Sequence, residues 1–363
     1  MDDKKYWLTF AKINKIGPQK LKKLLRAFPD LKTAWQAEAG ALREAGLDQE
    51  ALENLLIKRK EINPNREWEE LKKEGLEIIT ILEPDYPKLL REIYQPPPLL
   101  FFSGDLKVAN EFSLAVVGTR KPTSYGQQVA REMTWDLVQN GLTIVSGLAL
   151  GIDALAHQTA LEAGGKTIAV LGSGLDKQNI YPSSNRFLAK KIIEKGGLLL
   201  SEYPPGTMPL KQHFPARNRL ISGLSLGVLV IEAPEKSGTL ITANFALEQN
   251  RDVFAVPGNI YSRNSQGANN LIKLGAKPTT SASDILESLN LKQATAFLEN
   301  QKIIAENEEE KNIIELLSKN PLHIDKIIQL SKLPPAQINS TLALMELKGL
   351  VRNLGGMNYV LAR

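Results

Sequence analysis

The sequence predicts an α/β fold: a parallel sheet with crossover helices, flanked by a small N-terminal helical domain and a C-terminal winged helix. Three observations predict it. Residues 1 to about 80 carry charged, helical patterning only. From about residue 110 to 290, short apolar runs that end in Gly or Ser alternate with helical stretches. From Lys311 the pattern reads as three helices followed by a hairpin. At roughly 150 residues per domain, 363 residues suit two or three domains.

The N-terminal segment holds three of the chain's four tryptophans, Trp7, Trp35 and Trp68. Two stretches share a shape, a short helix, a glycine turn and a second helix with i, i+3, i+4 apolar spacing. One runs from Ile13 through Gly17-Pro18 into Lys20–Leu25, the other from Leu42 through Gly46 into Leu52–Leu56. They resemble a pair of helix-hairpin-helix units, in which a helix N-terminus faces a phosphate. That motif carries a further glycine two places before the turn glycine; here Lys15 stands two places before Gly17 and Ala45 one place before Gly46, and a small helical packing domain is the alternative. Pro84, Pro87 and Pro96-Pro97-Pro98 then mark a boundary, because successive prolines cannot continue a helix or a central strand.

Six strands are expected after that boundary: Leu114–Val117, Thr143–Val145, Thr167–Leu171, Gly197–Leu200, Gly227–Ile231 and Asp252–Val256. Helices are expected over Gln127–Asn140, Ile152–Ala163, Asn185–Lys195 and Leu240–Gln249. Glu306, Glu308, Glu309 and Glu310 form an acidic run, read as a solvated helix end in a linker over residues 296–310. The wing follows as helices Asn312–Ser318, Ile324–Ser331 and Ala336–Lys348, then a hairpin over Leu350–Leu361 turning at Gly355-Gly356. The expected domains are therefore 1–80, 81–295 and 311–363, with the linker between the last two.

Composition narrows the chemistry. Lys and Arg number 45 against 40 acidic residues, a net charge of +5 that permits a nucleic-acid partner without demanding one. With no cysteine, disulfides, thiolate catalysis and Cys-containing zinc sites are excluded. Three scattered histidines, His157, His213 and His323, argue against a metal centre, and no cofactor is expected. The first residues lack an apolar signal region, and the stretch Leu137–Ile152 is too short and polar to span a bilayer. A soluble cytoplasmic protein without a membrane partner is the expectation.

In open parallel sheets, ligands sit beyond the carboxyl ends of the strands, and here those ends are rich in Gly, Ser and Thr. Small residues let backbone N–H groups approach an anion. The standard nucleotide signatures fail. Lys177 replaces the third glycine after Gly172-Ser173-Gly174. Gly165-Lys166-Thr167 lacks its upstream glycine, Ala160 standing there, and precedes its strand. Charge is more telling. Between Glu202 and Glu232 every formal charge is positive (Lys211, Arg217, Arg219), with His213 and Phe214 among them. Between Glu111 and Glu132 the charges are Arg120, Lys121 and Arg131. Both stretches are expected as loops at strand ends. Cations with an interleaved aromatic suit a single-stranded nucleic acid, the cations tracking phosphates while a ring stacks a base. The alternative is that Arg217 and Arg219 pair with acidic side chains and Phe214 is core.

Specific motifs go further. They are Val117-Gly118-Thr119-Arg120 with Ser124-Tyr125-Gly126, Ser146-Gly147-Leu148-Ala149-Leu150-Gly151-Ile152-Asp153 with His157, and Gly172-Ser173-Gly174 with Tyr181-Pro182. They continue through Ser201-Glu202-Tyr203-Pro204-Pro205-Gly206, His213-Phe214-Pro215-Ala216-Arg217-Asn218-Arg219, Ser237-Gly238-Thr239 and Val256-Pro257-Gly258. In this order, over about 180 residues, they resemble the DprA (Smf) family of DNA-processing proteins. The resemblance implies an extended Rossmann-like sheet with a sterile-alpha-motif-like N-terminal domain and a winged helix. It implies a non-enzymatic protein that binds and protects incoming single-stranded DNA in natural transformation (competence) and helps load the RecA recombinase for DNA recombination. It also implies a homodimer formed through the Rossmann-like domain. On that resemblance, Arg120 falls on a phosphate-contacting arginine, and Lys211 and Phe214 on a lysine and a base-stacking aromatic. Lys121, Arg217, Asn218 and Arg219 belong to the same basic segments, and Gly172 and Ser173 lie at a base-admitting pocket. Some relatives carry Lys just after Tyr-Pro; here Ser183-Ser184 follow and Arg186 is the next cation.

Two rivals remain. Glu232 with Ser237-Gly238-Thr239 is similar to the nucleotide loop of lysine-decarboxylase-like phosphoribohydrolases, although Glu235-Lys236 replace two glycines of that pattern. In that reading Asp153 and His157, at i and i+4, form an acid–base pair; the plainer reading is a helix-dipole Asp and a packed His. The other rival is duplex readout by the third wing helix, which offers Glu346 and Lys348 as its only charges and Gln337, Asn339 and Ser340 near its start.

Overall fold

The computed structural model describes residues 3–290, 308–317, 322–331, 333–347, 351–353 and 357–361. The N-terminal segment folds into helices α1 (Lys4–Ala11), α2 (Pro18–Ala27), α3 (Leu31–Gln36), α4 (Ala39–Glu44), α5 (Gln49–Glu61) and α6 (Pro64–Lys73). Side chains that suit a helix start cap three of them. Asp30 accepts from the Thr33 N–H, Asp48 from the Ala51 N–H, and Asn63 from the N–H groups of Asn65 and Arg66. The segment before Gly17 is a turn, not a helix, and Lys15 takes the left-handed conformation there (φ +69°).

The central domain follows as β1 (Glu77–Thr80), α7 (Lys88–Arg91), β2 (Leu99–Gly104), β3 (Ser113–Val117), α8 (Ser124–Gln139), β4 (Thr143–Ser146), α9 (Ile152–Glu162) and β5 (Thr167–Leu171). It continues with α10 (Arg186–Glu194), β6 (Leu198–Ser201), α11 (His213–Gly223), β7 (Gly227–Val230), α12 (Gly238–Glu248), β8 (Asp252–Ala255), α13 (Gln266–Lys273), β9 (Lys277–Pro278) and α14 (Ala282–Ser288). All nine strands form one sheet in the order β1-β2-β6-β5-β4-β3-β7-β8-β9. Neighbours from β6 to β9 pair in parallel, while β1–β2 and β2–β6 pair antiparallel.

Two features correct the expectations. The sheet begins at Glu77, before the prolines, so the proline-rich stretch lies inside this domain and connects its two antiparallel strands. The segment from His213 to Arg219 is helical, not a loop. Pro215 sits in the first turn of α11, where its missing N–H is no loss. Leu220 and Ile221 then bury the helix against the sheet.

Alternation along the strands sends side chains to two cores. On β5, Ala169 and Leu171 join one cluster while Ile168 and Val170 join the other. On β2, Leu99 and Phe101 face one way and Leu100 and Phe102 the other. The first cluster also contains Trp7, Phe10, Leu24, Trp35, Leu55 and Leu71 of the N-terminal helices. Those helices therefore share a core with the sheet, and residues 1–285 form one compact unit.

The second unit starts at Leu286. It holds α15 (Glu308–Leu317), α16 (Ile324–Ser331) and α17 (Pro335–Leu347), with β10 (Leu322–His323), β11 (Val351–Asn353) and β12 (Asn358–Leu361) in the order β10-β12-β11. Ile313, Ile327, Ile338, Leu342, Met345 and Val351 form its core. This is the winged helix expected; its glycine turn and most of the acidic linker lie outside the described residues. Glu309 and Glu310 are not solvated as expected. Glu310 is buried, and Glu309 accepts from Thr341 Oγ1 (3.2 Å) and Gln337 Nε2. Gln337, at the start of the third helix, is thus occupied within the wing. No helix among the described residues is long and apolar enough to cross a membrane.

Candidate nucleic-acid interface

The chain lays down β3, β4, β5 and β6 in one direction, then returns to place β7 on the other side of β3. The crevice between the carboxyl ends of β3 and β7 is the topological switch point, where sheets of this kind hold nucleotides. Here Glu232, 1% exposed, fills it. Its carboxylate accepts from the Thr123 N–H (2.9 Å) and Thr123 Oγ1 (2.5 Å), just before α8, where the partial positive charge of the helix N-terminus favours an anion. A nucleotide phosphate in this place would meet a buried carboxylate. Gly126 makes the arrangement possible, since a Cβ there would lie 2.3 Å from Glu232 Oε2. Gly126→Ala is expected to destabilise the fold by about 1–3 kcal/mol in urea unfolding, through overpacking and the displaced carboxylate. An unchanged midpoint and slope would show that Glu232 can move away without cost.

On the other side of β3 the rim carries cations and rings. Gly172, at the end of β5, lies under the Phe214 side chain; a Cβ on it would come 3.1 Å from the ring. Phe214, in the first turn of α11, is half-buried, its ring centre 5.6 Å from that of Tyr181. The Arg120 guanidinium, in the loop after β3, stands 5.9 Å from the Phe214 ring centre, within cation–π range. Arg120, Lys121, Tyr181 and Lys211 are exposed. Behind them, the Tyr203 and His213 rings stack at 4.1 Å. Phe214 is thus neither a free ring nor a core residue. It lies between a cation over its face and a tilted second aromatic, with one strand end as its floor.

The rest of the basic segment turns inward. Arg217 is 5% exposed, and its Nη1 donates to the carbonyls of Gly147 (2.8 Å) and Val170. The Asp153 carboxylate accepts from the Gly147 N–H (3.1 Å) and offsets the Arg217 charge. Burial pulls the Arg217 pKa down to about 10, with Asp153 acting against it. Burial pushes the Asp153 carboxyl up, with Arg217 acting against it. Arg219 donates to both carboxylate oxygens of Glu202 and to the Gln95 carbonyl. Asn218 accepts from Arg217 Nε (3.3 Å) and donates to the Gly238 carbonyl (3.2 Å). Arg217 and Arg219 therefore differ from the expectation of phosphate contacts: they join α11 to the strand ends and to Glu202.

Two further expected residues also work inside the protein. Ser173 is 1% exposed, and its hydroxyl donates to the Asn179 carbonyl (2.7 Å). Arg186 donates to the carbonyls of Gln178 and Ile180, beside the cleft under the N-terminal helices. It braces a loop, and nothing places it at the position that Lys holds in some relatives. His157 is fully buried. Its Nδ1 lies 2.7 Å from Thr167 Oγ1, which donates its own proton to the Ile144 carbonyl, so Nδ1 is the donor. Burial pulls its pKa down to about 3. With Nδ1 spent inside the sheet, the packed-histidine reading fits the geometry better than the acid–base pair.

Residues 77–290 match the family model for DNA recombination-mediator protein A, and residues 299–357 match the DprA winged helix domain. The chain is 38% identical to Protein Smf of Synechocystis, with 98% of each chain covered. It is 41% identical to the DNA processing protein DprA of Bacillus subtilis over 80% of this chain and 96% of that one. Among solved structures, Streptococcus pneumoniae DprA superposes with a TM-score of 0.67 at 39% identity, covering 78% of this chain and 97% of that one. Helicobacter pylori DNA processing protein A, solved to describe its single-stranded DNA binding mode, matches with a TM-score of 0.54 at 33% identity, covering 60% and 96%.

Proposed function

The chain belongs to the DNA recombination-mediator protein A family, and from that premise we propose that it binds single-stranded DNA along the rim built on Arg120 and Phe214. In this reading it protects the strand and helps load the RecA recombinase during DNA uptake, as a cytoplasmic, non-enzymatic homodimer joined through the sheet domain. One observation carries the DNA reading: a cation, two rings and a glycine floor meet at the carboxyl ends of the strands, where Arg120, Tyr181 and Phe214 line a small pocket. Arg120, Lys121 and Lys211 present exposed charges to phosphates, and Phe214 with Tyr181 offers faces to bases. Gly172 lets the ring lie close to the strand end. Arg217, Asn218, Arg219, Ser173 and Arg186 act by holding the elements that present those groups. The single-stranded DNA binding mode of Helicobacter pylori DNA processing protein A supports the same ligand.

The test is a salt titration of oligo-dT binding beside duplex DNA and mononucleotides. Single strands are expected to bind more tightly than duplex at equal salt, because stacking needs an exposed base face. Affinity should fall steeply with salt as counterions are released. Equal affinity for both forms sinks the reading, and steady release of base from a mononucleotide promotes the hydrolase rival. Removal of residues 291–363 is expected to leave most single-strand affinity, because every rim residue lies in the first unit. A truncated protein that stays folded by circular dichroism but has lost binding would show the site to be elsewhere.

A further inference from the structure

The strand ends carry a further exposed aromatic, four strands away from Phe214 in the sheet. Tyr261 is 89% exposed and Ile260 beside it is 72% exposed, in the loop between β8 and α13. Exposed rings on loose loops are common, but this loop is pinned along its length. Tyr125 OH donates to the Pro257 carbonyl (2.8 Å), and Asn269 exchanges hydrogen bonds with the Gly258 backbone (3.1 and 3.0 Å). The Asn259 side chain accepts from the Tyr261 N–H (2.9 Å). At the far end, Asn264 donates to the Lys121 carbonyl (2.9 Å), and its own carbonyl accepts from the Ala233 N–H (2.7 Å). The tip that carries Tyr261 is thus fastened to the loop that carries Arg120 and Lys121. Arg263 and Lys121, both exposed, form no ion pair among the described residues.

The sheet order fixes the span. From β5, which ends under Phe214, to β8, which ends at this loop, there are four inter-strand spacings, with β3 and its Arg120 loop in the middle. At about 4.8 Å each, the distance is about 19 Å. Phe214, Arg120, Lys121, Arg263 and Tyr261 therefore follow one edge of the sheet, rings at its two ends and cations between. The buried Glu232 lies below this line, its carboxylate held by Thr123.

We infer that Tyr261 and Arg263 form a second single-strand subsite, so that one strand crosses the whole edge with one base on Phe214 and another on Tyr261. The inference rests on the reading that the Phe214 rim binds single-stranded DNA. A protein partner is the competing occupant of an exposed tyrosine. The flanking unpaired cations and the backbone link to the Arg120 loop favour a polyanion.

Two lengths of oligo-dT separate the outcomes, a dinucleotide, too short to bridge about 19 Å, and one of about 16 nucleotides, the long end of the usual range for such sites. Tyr261→Ala is expected to weaken the longer strand by about 5- to 100-fold with an unchanged salt slope, and to leave the shorter one alone. Tyr261→Phe should keep the wild-type affinity, because it keeps the ring. Arg263→Ala should make the long-strand slope shallower by about 0.7. The Tyr261 side chain is almost wholly in solvent, so these variants are expected to melt like the parent. If Phe214→Ala weakens binding and Tyr261→Ala does not, the second subsite is overturned and the first stands. If the unaltered protein holds neither oligonucleotide, the rim reading falls, and this one with it. Unchanged DNA affinity in Tyr261→Ala, together with altered self-association in sedimentation, assigns the tyrosine to a protein contact and also overturns the subsite.

Discussion

Arg217→Leu is expected to cost about 3–5 kcal/mol of stability in urea unfolding, although the residue lies in the most basic motif of the chain. The substitution removes a buried cation that serves two strand-end carbonyls and offsets the buried Asp153 carboxylate. It leaves the buried Asp153 carboxyl without its compensating cation, the situation in which a buried pair costs most. Arg217→Lys keeps the charge but lacks the fork that spans two carbonyls, and should fall between. An arginine that met only DNA would give the opposite pattern, an unchanged unfolding midpoint with weakened binding. A wild-type midpoint for Arg217→Leu would return this residue to the surface and undo its placement.

Phe214→Ala carries the largest expected effect on binding. Loss of one stacked base should weaken oligo-dT affinity by about 1–3 kcal/mol, with the salt slope nearly unchanged, since a ring displaces no counterion. Arg120→Ala should weaken binding and make the slope shallower by about 0.7, the share of one neutralised phosphate on a single strand. Arg120 also lies against the Phe214 ring, so the two losses should not add, and a double-mutant cycle should report their coupling. Phe214 is half-buried, so its truncation should shift the melt far less than the roughly 3–5 kcal/mol of a core phenylalanine. A large drop in melting temperature with unchanged affinity in the folded fraction would make Phe214 a support of the fold.

The parts of this fold that were legible in the sequence are those with a local period. Strands β3 to β8 lie within about a residue of their expected limits, because each is a short apolar run closed by Gly, Ser or another strand-end signal. Strands β1 and β2 escaped because prolines frame them and because four apolar residues in a row, Leu99–Phe102, have no alternation when both faces are buried. Helix α11 escaped because Pro215 stands in its first turn and the polar run Arg217-Asn218-Arg219 follows. The site divides the same way. Arg120 and Phe214 could be picked out by type and company. Nothing local distinguishes them from Arg217, whose partners Gly147 and Val170 lie 70 and 47 residues away, or from Arg219, whose Glu202 lies 17 away. Tyr181 stood out only as part of a motif, and Tyr261 not at all, because exposure of an aromatic is decided by the loop around it.

Glu232 changes what a sheet of this topology can recognise. With the crevice between β3 and β7 stoppered from within, the molecule has no niche there that could select a monomer by enclosing it. What is left is one small pocket at the Phe214 rim and an exposed row of cations beside it, and such a row discriminates by length. A lone nucleotide touches it at one point and leaves as readily as it arrives. A polymer engages several weak footholds at once, and each bound unit raises the local concentration of the next. Plugging the niche thus turns an architecture suited to reading one small molecule into one suited to measuring how much chain lies across it.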